Sequence, residues 1–496
     1  MTSRHETCTR APRDASSAGP PAGRRAAIVL GVIVTCQLMV SVDSNVVNIA
    51  LPEIRSGLGI STPALAWVFS AYALAYGGLL LLGGRAGDIL GRRRMLVWGL
   101  SLVVAASVLG GIAPNAGLLI TARALQGVGF AFAGPAALSM IAVIFDEGPQ
   151  RARALGVFSM VTGFGITLGL VAGGLLTSLN WRLVFFVNVP IGLVTIVLAR
   201  RCLAETERRP SEFDVAGALL STLGTVGIVY GLTRAAAAGW TDPGTLASFA
   251  AGAVLIGLFV VAERHAEQPI MPPRLLAQPA RAGAYLTFVL LMATMAGTYM
   301  LLSIYLQDVL GFGPLRAGIG FLPMALAQFA AARTAPKLIA RFGRAPVLIA
   351  GVVLMLLEAV WLCTTTGASN YRTGVLGPFV LLGAGLGLAF VTLNLTVLGG
   401  LEKRDTGAAS GLLQAAQQIG LALGVAVLTT IEHTARTGSA EPGRAAAAQG
   451  LSGAALAAVG FAALALLIGV AMIRLPERTR PALDRTVTPA RTPGEG

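Results

Sequence analysis

Ser41-Val42-Asp43-Ser44-Asn45-Val46-Val47-Asn48-Ile49-Ala50-Leu51-Pro52 places one carboxylate, Asp43, inside an apolar run that extends from Ala26 to Ala50. A run of that length crosses a bilayer as an α-helix. A charge there costs on the order of 3 kcal/mol on insertion scales, so it faces a partner or a water-filled cavity rather than lipid. The run decides the fold class, and Asp43 asks for a function.

Apolar windows of similar length recur along the whole chain. They lie at 26–50, 64–84, 95–113, 116–145, 154–178, 182–200 and 214–233, then at 245–262, 283–306, 314–333, 346–366, 374–398, 407–431 and 453–473. The expected fold is therefore an all-α polytopic membrane protein with fourteen spans. Composition agrees, since the 496 residues are 55% hydrophobic and only 12% charged. The net charge of +14 does not imply nucleic acid, because the basic residues fall in short clusters between apolar segments.

Those clusters set the orientation. Arg85, Arg92 to Arg94, Arg151, Arg153, Arg200, Arg201, Arg333, Lys337, Arg341 and Arg344 occupy alternate connections, and the intervening ones hold few basic residues. The positive-inside rule makes the first set cytoplasmic, together with both termini. The expected organisation is a disordered cytoplasmic tail at 1–25, a six-helix bundle at 26–203, a two-helix insert and linker at 204–281, a second six-helix bundle at 282–475 and a tail at 476–496. Cys8, Cys36, Cys202 and Cys363 form no CxxC and pair with no His, so neither a disulfide nor a metal framework is read. No Walker A sequence, cofactor motif or catalytic constellation is found, which argues against an ATP-driven pump or an enzyme.

Several segments resemble one family. Gly84-Arg85-Ala86-Gly87-Asp88-Ile89-Leu90-Gly91-Arg92-Arg93-Arg94 is similar to the loop signature of the major facilitator superfamily. Within it, Asp43 to Pro52 and Arg123-Ala124-Leu125-Gln126-Gly127-Val128-Gly129 resemble the first- and fourth-helix signatures of the fourteen-helix drug:proton antiporters. Trp181 to Gly192, Tyr305 to Gln307 with Gly311 to Gly318, and Gly407 to Gly424 are similar to further family segments. Gly165 to Gly174 resembles the fifth-helix signature, with Gly169 and Gly173 present and Leu170 where Pro is usual. The resemblance covers residues 26–475 and implies two six-helix bundles joined by an inserted two-helix hairpin.

Asp43 and Arg123 each lie seven residues, roughly 10 Å, below the outer ends of their spans. The resemblance implies that both line a central cavity and couple transport to protons. A permanent ion pair would hold the carboxylate charged, so coupling requires a contact made in one conformer and broken in another. The alternative is an ion pair that only fixes helix packing.

Asn48, Gln126, Tyr299, Ser303 and Asn394 are candidates to line the substrate cavity, with simple helix packing as the alternative. Glu358, midway along 346–366, is a candidate to bind a cationic substrate, against an acid packed between helices. Asp88, Gly84, Gly91 and Arg92 are read as an inner gate that meets the helix beginning near Gly407, and Gly169 and Gly173 as a gating face. The expected function is proton-coupled export of lipophilic or amphipathic drugs or antibiotics across the bacterial inner membrane. Uptake or export of one metabolite is the alternative, and a membrane-embedded enzyme or channel ranks lower. The expected partners are a small-molecule substrate, protons and the bilayer, with no cofactor and no nucleic acid, and the chain is expected to be monomeric.

Overall fold

Helices account for nearly all of the computed structural model, which describes residues 23–60, 62–205, 214–265, 271–272, 274–366, 369–402, 405–437 and 444–474. The expected tails lie outside the described residues, apart from the start of the first helix. Among the described residues there is no strand, and fourteen helices have fifteen residues or more. The first seven are α1 (Gly23–Leu58), α2 (Thr62–Leu90), α3 (Arg92–Gly111), α4 (Ala116–Ile144), α5 (Pro149–Leu179), α6 (Asn188–Cys202) and α7 (Val215–Ala238). The rest are α8 (Pro243–His265), α9 (Pro279–Ile304), α10 (Leu322–Phe342), α11 (Arg344–Cys363), α12 (Gly377–Leu398), α13 (Thr406–Thr437) and α14 (Arg444–Arg474).

Local chemistry starts several of them. Asn115 caps α4 by accepting the Leu118 N–H at 3.0 Å, and Asp214 caps α7 by accepting that of Gly217 at 2.8 Å. Pro149 and Pro279 open α5 and α9, where no N–H is needed.

Twelve of the helical segments are long and apolar enough to cross a membrane. Two helices, α5 and α10, are outside that set, and α10 carries Arg333, Lys337 and Arg341 toward its end. Large apolar side chains such as Val254, Leu258 and Val261 of α8 are exposed, as lipid contact requires.

Two groups of helices form. In the first, α4 packs on α2 and α3, α1 on α5, and α6 on α1 and α3. In the second, α12 packs on α10 and α11, α13 on α9, and α14 on α9, α11 and α13. The groups meet where α2 packs on α13 and α5 on α10. The antiparallel pair α7 and α8 stands beside this seam, with α7 touching both α2 and α13. Phe288 meets Phe390 at 4.9 Å and Phe321 meets Phe379 at 4.6 Å, which locks α9, α12 and the start of α10 together.

Candidate functional site

One carboxylate draws five helices of the first group together. Asp43 in α1 is 2% exposed and Arg123 in α4 is fully buried. Arg123 Nη1 donates to Asp43 Oδ2 at 2.7 Å and to Gln126 Oε1 at 2.9 Å. Its Nε donates to the Val68 carbonyl of α2 at 3.3 Å, and its guanidinium lies 4.3 Å from the centre of the Tyr72 ring. Asp43 Oδ1 accepts from Asn188 Nδ2 of α6 at 2.7 Å and from Gln126 Nε2 at 3.1 Å. Gln126 reaches Ser107 of α3 at 2.8 Å.

The local sequence builds this arrangement. Arg123 and Gln126 stand three residues apart, on one face of α4. Asn188 opens α6 just after the helical turn Leu183–Phe186, and Arg182 fixes that turn by donating to the carbonyls of Gly111 at 2.8 Å and Ala113 at 2.9 Å. Both oxygens of Asp43 are satisfied, whereas Arg123 Nη2 is buried with no hydrogen-bond partner among the described residues. Removing one partner of such a buried pair costs about 3–5 kcal/mol.

The second group holds no comparable cluster among its candidates. Asn394 is buried and donates to the Phe390 carbonyl of its own helix at 2.7 Å. The Phe288–Phe390 contact sets its level, whereas Tyr299 lies eleven residues beyond Phe288, about 16 Å along α9. Tyr299 packs on Phe321 with ring centres 4.3 Å apart. Ser303 accepts from Gln307 at 3.1 Å. Glu358 is fully buried with no hydrogen-bond partner among the described residues, on a helix that packs on α12 and α14. These residues do not converge on one cavity.

Other placements also differ from the sequence reading. Gln126 belongs to the charge network rather than to an open cavity, because its amide is consumed by Asp43, Arg123 and Ser107. Gly169 packs on Val42 and Asn45 of α1, inside the first group rather than at the seam, and Gly173 is buried on the same helix. The side chain of Asn48 lies outside those described. Sequence reasoning left the amide of Asn188 without a role; its only signal was its place in the Trp181 to Gly192 segment. Tyr76 was also missed, and its hydroxyl donates to Gln414 Oε1 of α13 at 2.9 Å, across the seam.

The gate candidates do meet. Asp88 Oδ1 accepts the Gly407 N–H at 3.1 Å and Oδ2 that of Ala408 at 3.0 Å, so a carboxylate of α2 sits on the positive end of α13. Arg92 pairs with Asp88 and donates to Thr406 Oγ1 at 2.8 Å. A Cβ on Gly84 would strike the Gly407 carbonyl, so only glycine lets the two backbones approach this closely. Gly91 turns the chain into α3 with φ of 102°, a conformation that favours glycine. Arg274, after the α7–α8 pair, adds a bond to Asp405 at 2.8 Å.

Two helix groups meeting at such a carboxylate-capped seam are the architecture that the loop signature implies. The sequence model described as the Major Facilitator Superfamily matches residues 33–425. The chain belongs to the major facilitator superfamily. It is accordingly a multi-pass membrane transporter with a small-molecule substrate, and not an enzyme.

Among superfamily members, the puromycin resistance protein pur8 of Streptomyces alboniger is 38% identical over 482 residues, 93% of this chain and 94% of that protein. The cephamycin export protein CmcT of Amycolatopsis lactamdurans is 38% identical over 411 residues, 82% of this chain and 85% of that protein. The crystal structure of the human organic anion transporter MFSD10 (TETRAN) shares the fold, with a TM-score of 0.63 and 15% identity over 90% of this chain and all of that one.

Proposed function

We propose that this facilitator exports lipophilic or amphipathic drugs or antibiotics across the bacterial cytoplasmic membrane in exchange for protons. Fourteen helices cross the bilayer in this reading, as two six-helix bundles at 26–203 and 282–475 with α7 and α8 as the inserted hairpin. The arginine-rich end, with both termini, faces the cytoplasm, and the chain acts as a monomer. The observation that carries the reading is the buried Asp43–Arg123 pair with its Asn188 and Gln126 donors. Relatives named for puromycin resistance and cephamycin export support a drug-like substrate.

The mechanism follows from the bonds. With the pair intact, Asp43 is charged and holds α1, α4 and α6 together. Binding a proton neutralises the carboxylate, weakens its hold on Arg123 and frees α1 to shift against α4. Substrate entering from the cytoplasm reaches the seam once the Asp88 contact with α13 opens. The cycle alternates access between the two sides.

The test uses everted vesicles from an efflux-deficient host, with puromycin as the first probe and proton movement followed by a pH-sensitive dye. Wild type releases protons from the vesicle lumen as substrate enters it. Asp43→Asn abolishes this coupled flux while substrate binding persists, and Asn188→Ala reduces it roughly tenfold, as loss of a buried charge-assisted hydrogen bond implies. Normal coupled transport by Asp43→Asn sinks the proposal. A second reading, proton-coupled movement of one metabolite, draws on Leu170 in place of the usual proline. If it is uptake, protons move with the substrate rather than against it.

A further inference from the structure

The fold leaves a groove on its lipid-facing side, lined by none of the charge-network or gate residues. It lies between α1 and α6 and encloses about 630 Å³. Ile28 and Val32 form one wall, with Ile191, Val194 and Leu198 opposite. Gly31 is exposed on the α1 side, where an added Cβ would meet nothing within 4 Å. Ile28, Ile191, Val194 and Leu198 are all exposed, so the trough opens outward along its length.

Its direction is set by the helices. The first turns of α1 and the last turns of α6 share one end of the molecule, and the lining on α6 runs from Pro190 to Cys202. Twelve residues of helix span about 18 Å. The groove is thus a long slot that ends at the arginine-rich side. Arg200 and Arg201 are exposed there. Arg201 follows Leu198 by three residues and Val194 by seven, which continues the flank of the groove. The next carboxylate along the chain, Glu205, is engaged by Arg93 at 3.5 Å and leaves Arg201 uncompensated by it.

A slot between two touching helices is too narrow for a third helix, which is about 10 Å across. It fits a flexible hydrocarbon chain. Basic residues where a transmembrane helix meets the cytoplasmic surface attract anionic headgroups. We propose that the groove holds one acyl chain of an anionic phospholipid, with its phosphate against Arg201. The far end of that chain lies beside Pro190 and Ile191, two and three residues after Asn188, so the lipid braces the helix start that carries the bond to Asp43.

The test is native mass spectrometry of the full-length chain in detergent, offered phosphatidylglycerol or phosphatidylcholine of matched tails. One phosphatidylglycerol is expected per chain, retained at least fivefold over phosphatidylcholine. Gly31→Leu, which puts a bulky side chain into the groove from α1, removes that retention, and Arg201→Gln removes the preference between headgroups. Val194→Trp closes the same slot from its exposed wall and serves if Gly31→Leu does not fold. Equal retention of the two lipids by the parent, or undiminished phosphatidylglycerol on the folded groove-filling variant, overturns the proposal; the second result marks adventitious annular lipid. None of these substitutions touches the charge network, so the outcome is independent of proton coupling.

Discussion

Asp43 is surrounded by donors from three side chains on two other helices, and that arrangement explains how a carboxylate persists within an apolar bundle. A different acid shows what solvent access changes. Glu147, in the turn before α5, accepts the Gly400 N–H across the seam at 3.0 Å and Arg151 Nη1 at 3.0 Å. The Gly400 bond, with Arg151 and Arg344 nearby, holds its carboxyl below the ordinary value of 4.5. The contact is therefore complete above the ordinary carboxylate range and is lost only as pH falls through the lowered value. Between about pH 5 and 8 Glu147 stays charged. Glu147→Gln is expected to shift the midpoint of a transport–pH profile by less than about 0.3 pH units in that range. A larger shift, measured by dye-followed flux, would make Glu147 a proton site.

The legibility of single residues divides along the same line. Asp43 and Arg123 stood out because ionisable groups are rare in apolar helices, and their matched depths suggested contact. Glu358 stood out for the same reason, yet it has no hydrogen-bond partner among the described residues. Asn188 could not be read as a ligand of Asp43, because an amide near a helix start is ordinary chemistry, and its aim depends on how the Leu183–Phe186 turn is folded.

At the scale of elements, hydropathy located the helices but not their ends. The window at 26–50 became Gly23–Leu58, and that at 245–262 became Pro243–His265. Hydropathy senses only the apolar middle, whereas backbone hydrogen bonds carry a helix on into polar residues. The window at 314–333 broke into Pro314–Gly320 and Leu322–Phe342, with Pro323 at the start of the second piece. The seam between α2 and α13 is where an element-level change should be felt most. Gly84→Val forces the two backbones apart, and overpacking of this kind costs about 1–3 kcal/mol, or roughly 5- to 150-fold in the population with the seam closed. It is expected to leave substrate binding intact and to raise thiol labelling of a cysteine at Thr406. Unchanged labelling would show that the seam tolerates the bulk.

For the whole molecule, transport by alternating access requires the two groups to separate at one end and then at the other. The contact between α2 and α13 can be used to arrest that motion. A Cβ built on Gly77 lies 3.7 Å from that of Gln418, within the range a disulfide spans. The double variant Gly77→Cys, Gln418→Cys is expected to lose more than roughly nine-tenths of its transport when oxidised and to recover it on reduction. Full activity in the cross-linked form would mean that α2 and α13 move as one body. The hairpin adds a constraint here. Tyr230 of α7 stacks on Trp67 of α2, while Trp240 donates to Thr430 of α13 at 3.1 Å. It thereby touches both groups, a relation that span counting alone could not supply.

Among the described residues, the first N–H groups of α13 at Gly407 and Ala408 find their acceptor in Asp88. A helix of thirty-two residues in one half therefore borrows its cap from the other. In the proposed cycle the halves part at this end, and those donors are then left bare unless something replaces the carboxylate. Water is the available substitute, so opening and wetting at this end become a single event, and the rate of one is bounded by the rate of the other.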